Sequence, residues 1–409
     1  MRPNLVAGLD IGSTKTCGVI AEATTDAAGE PTLKILGVGQ SRTAGMRRET
    51  VTDIDGTTES VRTAIQEAEL MAGVSVDRVT VGIAGEHIEA DGSTGVVAVT
   101  GEEIRSGDVK RVQEVARTVA VPNDREVLHV LPQEYIVDRQ EGIRDPVGMA
   151  GTRLEANVYI VTSAIKAGRN LRKAVGRAGY EIEALVYEPL ATALAVLTED
   201  ELDVGVALVD LGGGATDVGI FRGGKMRHLT SIPWGGVAVT NDIAQGLKIS
   251  AAEAERAKEK FGVAFAQLVD PREKIELPGP SPDTKRSVPR ELIAHIIEQR
   301  LDEILELVTT AIEEAGETES LGAGVVLTGG GASLEGTIEV AQHVFGRPVR
   351  VGVPEAGLSG LSDSVRQPRF SAATGLALYT ARNRRAAGTV SRLRDGAVAR
   401  VVAWLKEFF

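Results

Sequence analysis

Residues 206–221 read VALVDLGGGATDVGIF, and residues 6–20 read VAGLDIGSTKTCGVI. When one stretch is shifted by 200 positions onto the other, identical residues coincide in pairs: Asp10 with Asp210, Gly12 with Gly212, and Thr16 with Thr216. Each stretch has an apolar run, a turn of small residues and a second apolar run. The pattern predicts one β-hairpin of the same design in each half of the chain.

The repetition extends beyond these hairpins. YEPLATALAV (187–196) is echoed by RFSAATGLAL (369–378), and residues 157–179 and 324–346 share the order strand, small-residue turn, helix. Strand-like and helix-like segments alternate along the chain, which is typical of α/β domains. The sequence therefore predicts two α/β halves of one plan. The prolines and charges of residues 277–290 predict an exposed loop.

Composition and length set the class of protein. The chain has 409 residues, of which 43% are hydrophobic and 25% charged. These values indicate a globular protein with more than one domain. Cys17 is the only cysteine, which excludes an internal disulfide and cysteine-based zinc or iron–sulfur sites. We expect no signal peptide and no membrane-spanning helix, because the sequence has no uninterrupted apolar run of the required length.

Charge is unevenly distributed. The net charge of the chain is −12. The segment from Arg382 to the chain end has seven Lys and Arg residues and two Asp and Glu residues, which gives it a net charge of +5 and leaves −17 on the rest of the chain. An acidic body argues against nucleic-acid binding. The basic end requires a separate explanation.

The two predicted hairpins favour phosphate binding. Glycine turns let backbone N–H groups approach an anion. Asp10 and Asp210 each end a strand just before such a turn, and Mg²⁺ favours one or two carboxylates together with water and phosphate oxygens. Two turns from two halves would clasp a polyphosphate between them. The alternative is a pair of ordinary hairpins with glycine turns.

A third glycine-rich turn lies in GVVLTGGGASLEG (324–336), between a strand and the start of a helix. It is suited to a phosphate or an adenine face. Its order differs from the dinucleotide-binding fingerprint, and the sequence has no P-loop motif. By itself this turn does not specify a ligand.

Together, the two hairpins, the third turn and the helices near 188–196 and 370–378 resemble, in the same order, the superfamily of actin, sugar kinases and heat-shock chaperones. AERAKEKFG (254–262) resembles the stretch by which those chaperones grip the adenosine sugar, which implies roles for Glu255 and Lys258. The alternative for these two residues is a solvated helix with an i,i+3 ion pair.

Within that superfamily, three stretches resemble the FtsA family of bacterial division proteins. They are VGIAGEHIEADGSTGVVAV (81–99), the long stretch 127–162, and WGGVAVTNDIAQGLKISAAEAERAKEKFG (234–262). The resemblance implies an α/β, actin-like fold of two lobes, a duplicated ribonuclease H-like architecture with a nucleotide cleft. It also implies that a subdomain called 1C replaces the actin subdomain 1B.

The implied subdomains follow the chain. They are 1A (1–85 and 163–200, with part of 360–385), 1C (86–162), 2A (201–226 and 311–360), 2B (227–310), a linker (386–396) and a terminal amphipathic helix (397–409).

The resemblance also implies a site for ATP or ADP with Mg²⁺. The nucleotide-binding residues would be Asp10, Gly12, Ser13, Thr14, Lys15, Asp210, Gly212, Gly213, Gly214, Thr216, Gly235, Gly236, Glu255, Lys258, Gly329, Gly330 and Gly331. Asp10 and Asp210 would hold the metal through water. Glu188 and Asp210 would serve hydrolysis, which we expect to be slow at most.

The chain ends AVARVVAWLKEFF (397–409). On a helix, Arg400, Lys406 and Glu407 take one side. The other side gathers apolar residues that include Val398, Val401, Val402, Trp404, Leu405, Phe408 and Phe409. This pattern is typical of a helix lying in the headgroup plane of a membrane, and the basic lead-in favours anionic lipid. The alternative is a terminal helix docked on the protein's own body.

Resemblance further implies partners and a location. RSVPRELIAHIIEQRLDEIL (286–305) resembles the region of subdomain 2B that binds the tail of the tubulin-like protein FtsZ, with Arg286 and Arg300 at its basic positions. The alternative is a solvated amphipathic helix. The resemblance likewise implies that the chain forms filaments with itself and that later division proteins bind subdomain 1C. It also implies a peripheral location on the cytoplasmic face of the inner membrane, at the septum. A PilM-like scaffold of type IV pilus assembly is the alternative function. A sugar or acetate kinase and a chaperone are more distant alternatives.

Overall fold

The computed structural model describes residues 4–118, 121–278 and 284–392. The first half of the chain contains eleven strands and four helices within these ranges. They are β1 (Leu5–Ile11), β2 (Lys15–Thr25), β3 (Pro31–Arg42), β4 (Met46–Arg47), β5 (Thr50–Val51), α1 (Ile54–Ala72), β6 (Arg78–Ile83), β7 (Ile88–Ala98), α2 (Ser106–Arg117), β8 (Arg125–Val137), β9 (Gln140–Ile143), β10 (Arg153–Ala164), α3 (Ile165–Ala178), β11 (Glu181–Tyr187) and α4 (Glu188–Val196).

The second half contains eight strands and six helices in the described part of the chain. They are α5 (Glu199–Val204), β12 (Val206–Leu211), β13 (Thr216–Arg222), β14 (Lys225–Ile232), α6 (Gly236–Leu247), α7 (Ala251–Phe261), β15 (Lys274–Pro278), β16 (Lys285–Pro289), α8 (Arg290–Glu314), β17 (Val325–Thr328), α9 (Thr337–Phe345), β18 (Val349–Val351), β19 (Leu358–Gly360) and α10 (Ser371–Arg392).

The two main sheets repeat one topology. The first runs β11-β6-β1-β2-β3-β19 and the second runs β18-β17-β12-β13-β14. Register repeats as well: β1 and β2 pair Asp10 with Cys17, and β12 and β13 pair Asp210 with Asp217. The predicted duplication therefore extends to individual hydrogen-bonded strand pairs.

Strand β12 lies between two hydrophobic cores. Val206 and Leu208 pack into a core shared with the first lobe, while Val209 and Leu211 pack into a core of the second lobe. Because both faces are covered, the strand reads as a continuous apolar run rather than an alternating one. Helices α4 and α10 pack together through Ala191 and Leu376, so the two echoed segments meet. This packing supports the floor of the cleft between the lobes.

Residues 88–164 form a separate sheet of order β7-β10-β8-β9, covered by α2. Its core includes Val109, Val112, Tyr135 and Leu154. Strand β8 also contacts the second lobe, because Gln133 accepts from Arg227 at 3.0 Å and donates to the Met226 carbonyl at 3.0 Å. The insert therefore bridges the two lobes.

Two predictions from sequence are wrong in part. Residues 277–290 were expected to form a loop, but its two described ends belong to β15 and β16, which pair antiparallel with Leu277 opposite Arg286. Ile275, Leu277 and Val288 are buried, so alternation of apolar residues outweighs the flanking prolines. The expected linker at 386–396 begins as helix, since α10 continues to Arg392.

The membrane-binding prediction for 397–409 lies outside the described residues. Among those described, no helix is long and apolar enough to cross a membrane.

Candidate functional site

The turns of the two repeated hairpins touch each other across the cleft. A Cβ atom on Gly213 would lie 2.3 Å from Thr14 Oγ1, and one on Gly214 would lie 2.2 Å from Ser13 Oγ. Such distances are far shorter than van der Waals contact, so any side chain there would push the turns apart. Glycine at 213 and 214 thus allows the two lobes to approach.

Asp10 and Asp210 lie beside this contact. Asp10 is buried, and its Oδ2 is 3.3 Å from Lys15 Nζ. Lys15 also donates to the Arg369 carbonyl and lies over the Phe370 ring. Burial raises the pKa of Asp210 from 3.8 to about 7, with Asp217 and Asp10 adding to the rise and Lys15 opposing it. The two aspartates therefore repel one another in the protein without a bound cation.

Three further carboxyl groups contribute to the same electrostatic cluster. Burial raises the pKa of Glu188, at the start of α4, well above its usual value, and the charges of Asp10 and Glu49 raise it further. Burial likewise raises the pKa of Asp217 to about 6 and that of Glu49 to about 8. The sequence reasoning missed both. Asp217 had a signal, because it is the strand partner of Asp210.

This cluster fits a hydrated Mg²⁺ bound with phosphates. The five carboxyl groups of this cluster are buried or half-buried, so a divalent cation would relieve their repulsion. Among the described residues, no group of three or more His, Cys, Asp and Glu is arranged to hold a metal by itself. Mg²⁺ usually binds through one or two carboxylates, waters and substrate phosphates rather than in an all-protein cage. Asp10 and Asp210 are the residues that would hold it.

The N-terminus of α6 supports the second turn. Gly236 and Val237 donate their backbone N–H groups to the carbonyls of Gly212 and Gly213, at 2.9 and 2.8 Å. Thr216 donates to the carbonyl of Trp234 at 2.8 Å. The turn and the start of α6, with Gly235 as its N-cap, therefore form one unit.

Glu255 and Lys258 belong to that unit. Lys258 Nζ donates to the Gly236 carbonyl, Thr240 Oγ1 and Glu255 Oε2 at 2.9, 2.8 and 2.9 Å. An ammonium group has three donors, so these contacts saturate it. Glu255 also accepts from Thr240. The pair is therefore at the cleft and not on a solvated helix face.

The third glycine turn approaches Asp210 from the other side. A Cβ on Gly329 would lie 2.1 Å from Asp210 Oδ1, and one on Gly331 would lie 2.9 Å from Leu211 Cβ. Gly330, between them, has open space around it. All three glycine turns thus surround the end of β12.

A strained hairpin completes the site. Strands β4 and β5 are joined by Arg48 and Glu49, with φ of 46° and 56°. This left-handed conformation suits Asn or Gly and costs about 1–2 kcal/mol for other residues. Glu49 accepts from Ser13 Oγ and donates its backbone N–H to the same oxygen, both at 3.0 Å. Arg48 lies over the Trp234 ring of the other lobe at 5.8 Å.

Arg286 and Arg300 both contact α6. The Arg286 guanidinium donates to the Leu247 carbonyl at the C-terminal end of α6. Arg300 pairs with Asp242 at 2.5 Å and with Glu303 at 2.6 Å, and it stacks on Trp234 at 5.4 Å. The sequence reasoning placed both in a partner surface. In the described structure each is already engaged within the chain.

Comparison with known proteins gives a consistent set of matches. A family model described as cell division protein FtsA matches residues 207–375, and one described as the SHS2 domain inserted in FtsA matches residues 85–162. The cell division protein FtsA of Pseudomonas aeruginosa is 42% identical over 375 residues, covering 92% of this chain and 89% of that protein. That of Escherichia coli K12 is 38% identical over 382 residues, with 92% and 90% covered.

Solved structures show similarity of fold alone. The PilM–PilN type IV pilus biogenesis complex matches with a TM-score of 0.62 at 16% identity, covering 91% of this chain and 97% of that chain. MreB 5 of Spiroplasma citri bound to AMPPNP matches with a TM-score of 0.55 at 13% identity, covering 96% and 99%. With the SHS2 match, these likenesses confirm the predicted actin-like α/β fold with a subdomain inserted in its first half.

Proposed function

The chain belongs to the FtsA family of cell division proteins, and we propose that it is an ATP-binding filament protein that anchors the FtsZ ring to the membrane and recruits later division proteins. The observation that carries the nucleotide part is the contact between the two glycine turns, with Asp10 and Asp210 beside it. The PilM-like alternative has support from the fold alone, at 16% identity.

Nucleotide binding follows from the chemistry of the cleft. Ser13, Thr14 and Lys15 of the first turn and the backbone N–H groups of Gly213 and Gly214 of the second would hold the phosphates. Gly12, Gly212 and Thr216 would shape these turns, because their N–H or hydroxyl groups already donate to carbonyls of the chain. Mg²⁺, when bound, neutralises phosphate charge. Gly235, Gly236, Glu255 and Lys258 would line the sugar and base, opposite Gly329–Gly331. The structure of MreB 5 with AMPPNP shows that a protein of this fold binds a nucleotide.

Hydrolysis, if it accompanies binding, would be slow. Glu188 would accept a proton from water as general base, and Asp210 would orient the metal's waters. The raised pKa of Glu188 disfavours the ionised form that a base needs, which fits a low rate. We therefore propose that ATP acts mainly as a switch toward the filament-forming conformation.

Membrane attachment rests on the sequence pattern of 397–409, with Val398, Val401, Val402, Trp404, Leu405, Phe408 and Phe409 as the lipid-facing set. The protein would be peripheral, on the cytoplasmic face of the inner membrane at the septum. Anionic lipid would attract the basic segment that precedes this helix.

Arg286 and Arg300 are proposed to contact the acidic FtsZ tail. Because Arg300 already pairs with Asp242 and Glu303, an acidic peptide would have to exchange with these carboxylates. Truncation of either arginine should weaken binding of the tail peptide, and unchanged affinity would exclude that residue. Later division proteins are proposed to bind the insert at 86–162.

Vesicle co-sedimentation tests the membrane part. The full chain and a chain truncated at Asp395 are mixed with vesicles of anionic and of neutral lipid, with and without ATP. We expect only the full chain to sediment, and more strongly with anionic lipid. Equal amounts of both chains in the supernatant would exclude membrane anchoring by this segment.

A further inference from the structure

A small cavity lies under the β4–β5 hairpin, where the first lobe meets the cleft. Its volume is about 10 Å³, enough for one water molecule. Apolar residues that include Ile11, Met46 and Leu171 form part of its wall. The ionisable residues on the wall are Glu49, His87 and Glu188. A single water there would therefore meet two carboxyl groups and an imidazole in a wall that is partly apolar.

The polar atoms at this cavity leave room for a water. His87 Nε2 is buried and has no hydrogen-bond partner among the described residues. Burial holds the pKa of His87 at about 4, with Arg125 contributing, so the ring is neutral and can accept or donate one hydrogen bond. Glu188 packs closely against β6, because a Cβ on Gly82 would lie 2.3 Å from Glu188 Oε1. The absence of a side chain at Gly82 therefore leaves room for Glu188 on the cavity wall.

Glu49 links the cavity to the phosphate turns. Its carboxylate accepts from Ser13 Oγ, and Ser13 lies directly against Gly214 of the second turn. One hydrogen bond therefore separates Glu49 from the proposed phosphate site. A water between Glu49 and Glu188 would therefore be linked to the phosphate turns through the hydrogen bond between Glu49 and Ser13.

The hairpin that carries Glu49 has a strained backbone, and its own turn sequence does not explain this conformation. A two-residue hairpin turn with positive φ favours Asn-Gly, yet Arg48-Glu49 occupies it here. Strain of this kind persists where the surroundings over-determine the conformation, and it clusters at functional sites. Here the surroundings are Ser13 on one side and Trp234 on the other.

We propose that this cavity holds the water that attacks the terminal phosphate, and that Glu49 orients it together with Glu188. The proposal rests on the proposed ATP binding. In the step, the water oxygen forms a bond to the terminal phosphorus, and the bond from phosphorus to the bridging oxygen breaks, its electron pair leaving with ADP. The water's proton passes to the Glu188 carboxylate and from there to the released phosphate.

Single-turnover hydrolysis by the full chain with Mg²⁺ and ATP tests the role of Glu49. Glu49→Gln should slow hydrolysis by about tenfold to a hundredfold, within the range that positioned carboxyl groups contribute. The affinities for ATP and ADP, measured by calorimetry, should stay within about twofold of the wild-type values, because the substitution impairs the hydrolysis step and leaves nucleotide binding intact. Glu49→Asp should recover part of the rate. Arg47→Gln, an exposed position one residue before the strained pair, is the matched control and should change neither quantity.

Glu49→Gly separates a chemical role from a structural one. Glycine relieves the left-handed strain, so thermal stability should rise or stay unchanged while hydrolysis falls as in Glu49→Gln. A crystal structure with Mg²⁺ and a non-hydrolysable ATP analogue should show one water bridging the two carboxyl groups.

The outcomes distinguish this inference from the proposed function. If the wild type binds no ATP, the proposed function fails and the inference fails with it. If ATP binds and is hydrolysed at the wild-type rate by Glu49→Gln and Glu49→Gly, the inference alone is overturned. It is also overturned if ATP binds but single turnovers yield no ADP, or if the cavity in the crystal structure contains no water.

Discussion

The hairpins β1–β2 and β12–β13 have the same backbone pairing but different surroundings. Opposite Asp10 lies Cys17, whereas opposite Asp210 lies Asp217. The first turn is braced by the strained β4–β5 hairpin through Ser13, and the second by the N-terminus of α6. Duplication supplies the geometry of two facing turns. Residues outside the repeat give each turn its own charge and support.

The contact between the turns gives the largest expected effect. Gly213→Val places a branched side chain where even a Cβ would lie 2.3 Å from Thr14 Oγ1. The lobes should separate, and ATP affinity should fall by about a hundredfold or more, a loss of about 2.7 kcal/mol. Calorimetric titration measures it. Gly92→Val is the control, because a Cβ on Gly92 meets nothing within 4 Å. Wild-type affinity in Gly213→Val would show that the turns do not bind one ligand.

The acidic surroundings of the second hairpin predict a pH dependence. The pKa of Asp210 is raised from 3.8 to about 7, so the folded state binds this proton more tightly than the unfolded state. That contribution stabilises the fold at low pH and is lost as pH rises from about 4 to 7. Asp210→Asn lacks it. In the absence of nucleotide and Mg²⁺, the free energy of unfolding of the wild type should therefore decrease relative to that of Asp210→Asn as the pH rises from about 4 to 7. The decrease should be at most about 1.4 kcal/mol per pH unit.

Urea unfolding across this pH range measures the difference. The exposed Asp200→Asn provides a control, which should follow the wild type at every pH. A constant gap between Asp210→Asn and the wild type would mean that burial and the neighbouring carboxylates do not raise the pKa of Asp210 in the ligand-free protein.

The contact between Arg48 of the β4–β5 hairpin and Trp234 gives the smallest expected effect. Arg48→Ala removes the stacking on Trp234, which lies 5.8 Å away, and should lower the free energy of unfolding by about 0.5–1 kcal/mol. Arg47→Ala, exposed on the same hairpin, should have no measurable effect. Equal denaturation midpoints for Arg48→Ala and Arg47→Ala would exclude a stabilising contact between the lobes at this point.

Much of the fold could be predicted from the sequence, because the sequence patterns that indicate it are local or occur twice. Helix α7 begins at Ala251 because Ser250 and Glu253, which are close in sequence, form a capping box. The repeated hairpins could be recognised because Asp10 and Asp210 occupy the same position in two similar stretches of sequence. The insert had no such internal signal, and its prediction depended on resemblance to a family.

Other features could not be read, because tertiary contacts decide them. Arg48-Glu49 has no turn propensity, and its conformation depends on contacts with Ser13 and Trp234, which are distant in sequence. Arg286 and Arg300 are basic in the sequence, but nothing local indicates that α6 engages both of them. Glu49 therefore emerged as a site residue only from the structure.

If the two hairpins form one nucleotide site, Asp10 and Asp210 hold the same ion, and a double-mutant cycle on these two residues tests this most directly. MgATP affinity is measured calorimetrically for the wild type, Asp10→Asn, Asp210→Asn and the double variant. If both carboxylates hold the same ion, each single change should cost about tenfold or more, and the double change should cost no more than the worse single. Losses that add independently, or affinities that remain at the wild-type value, would contradict the claim.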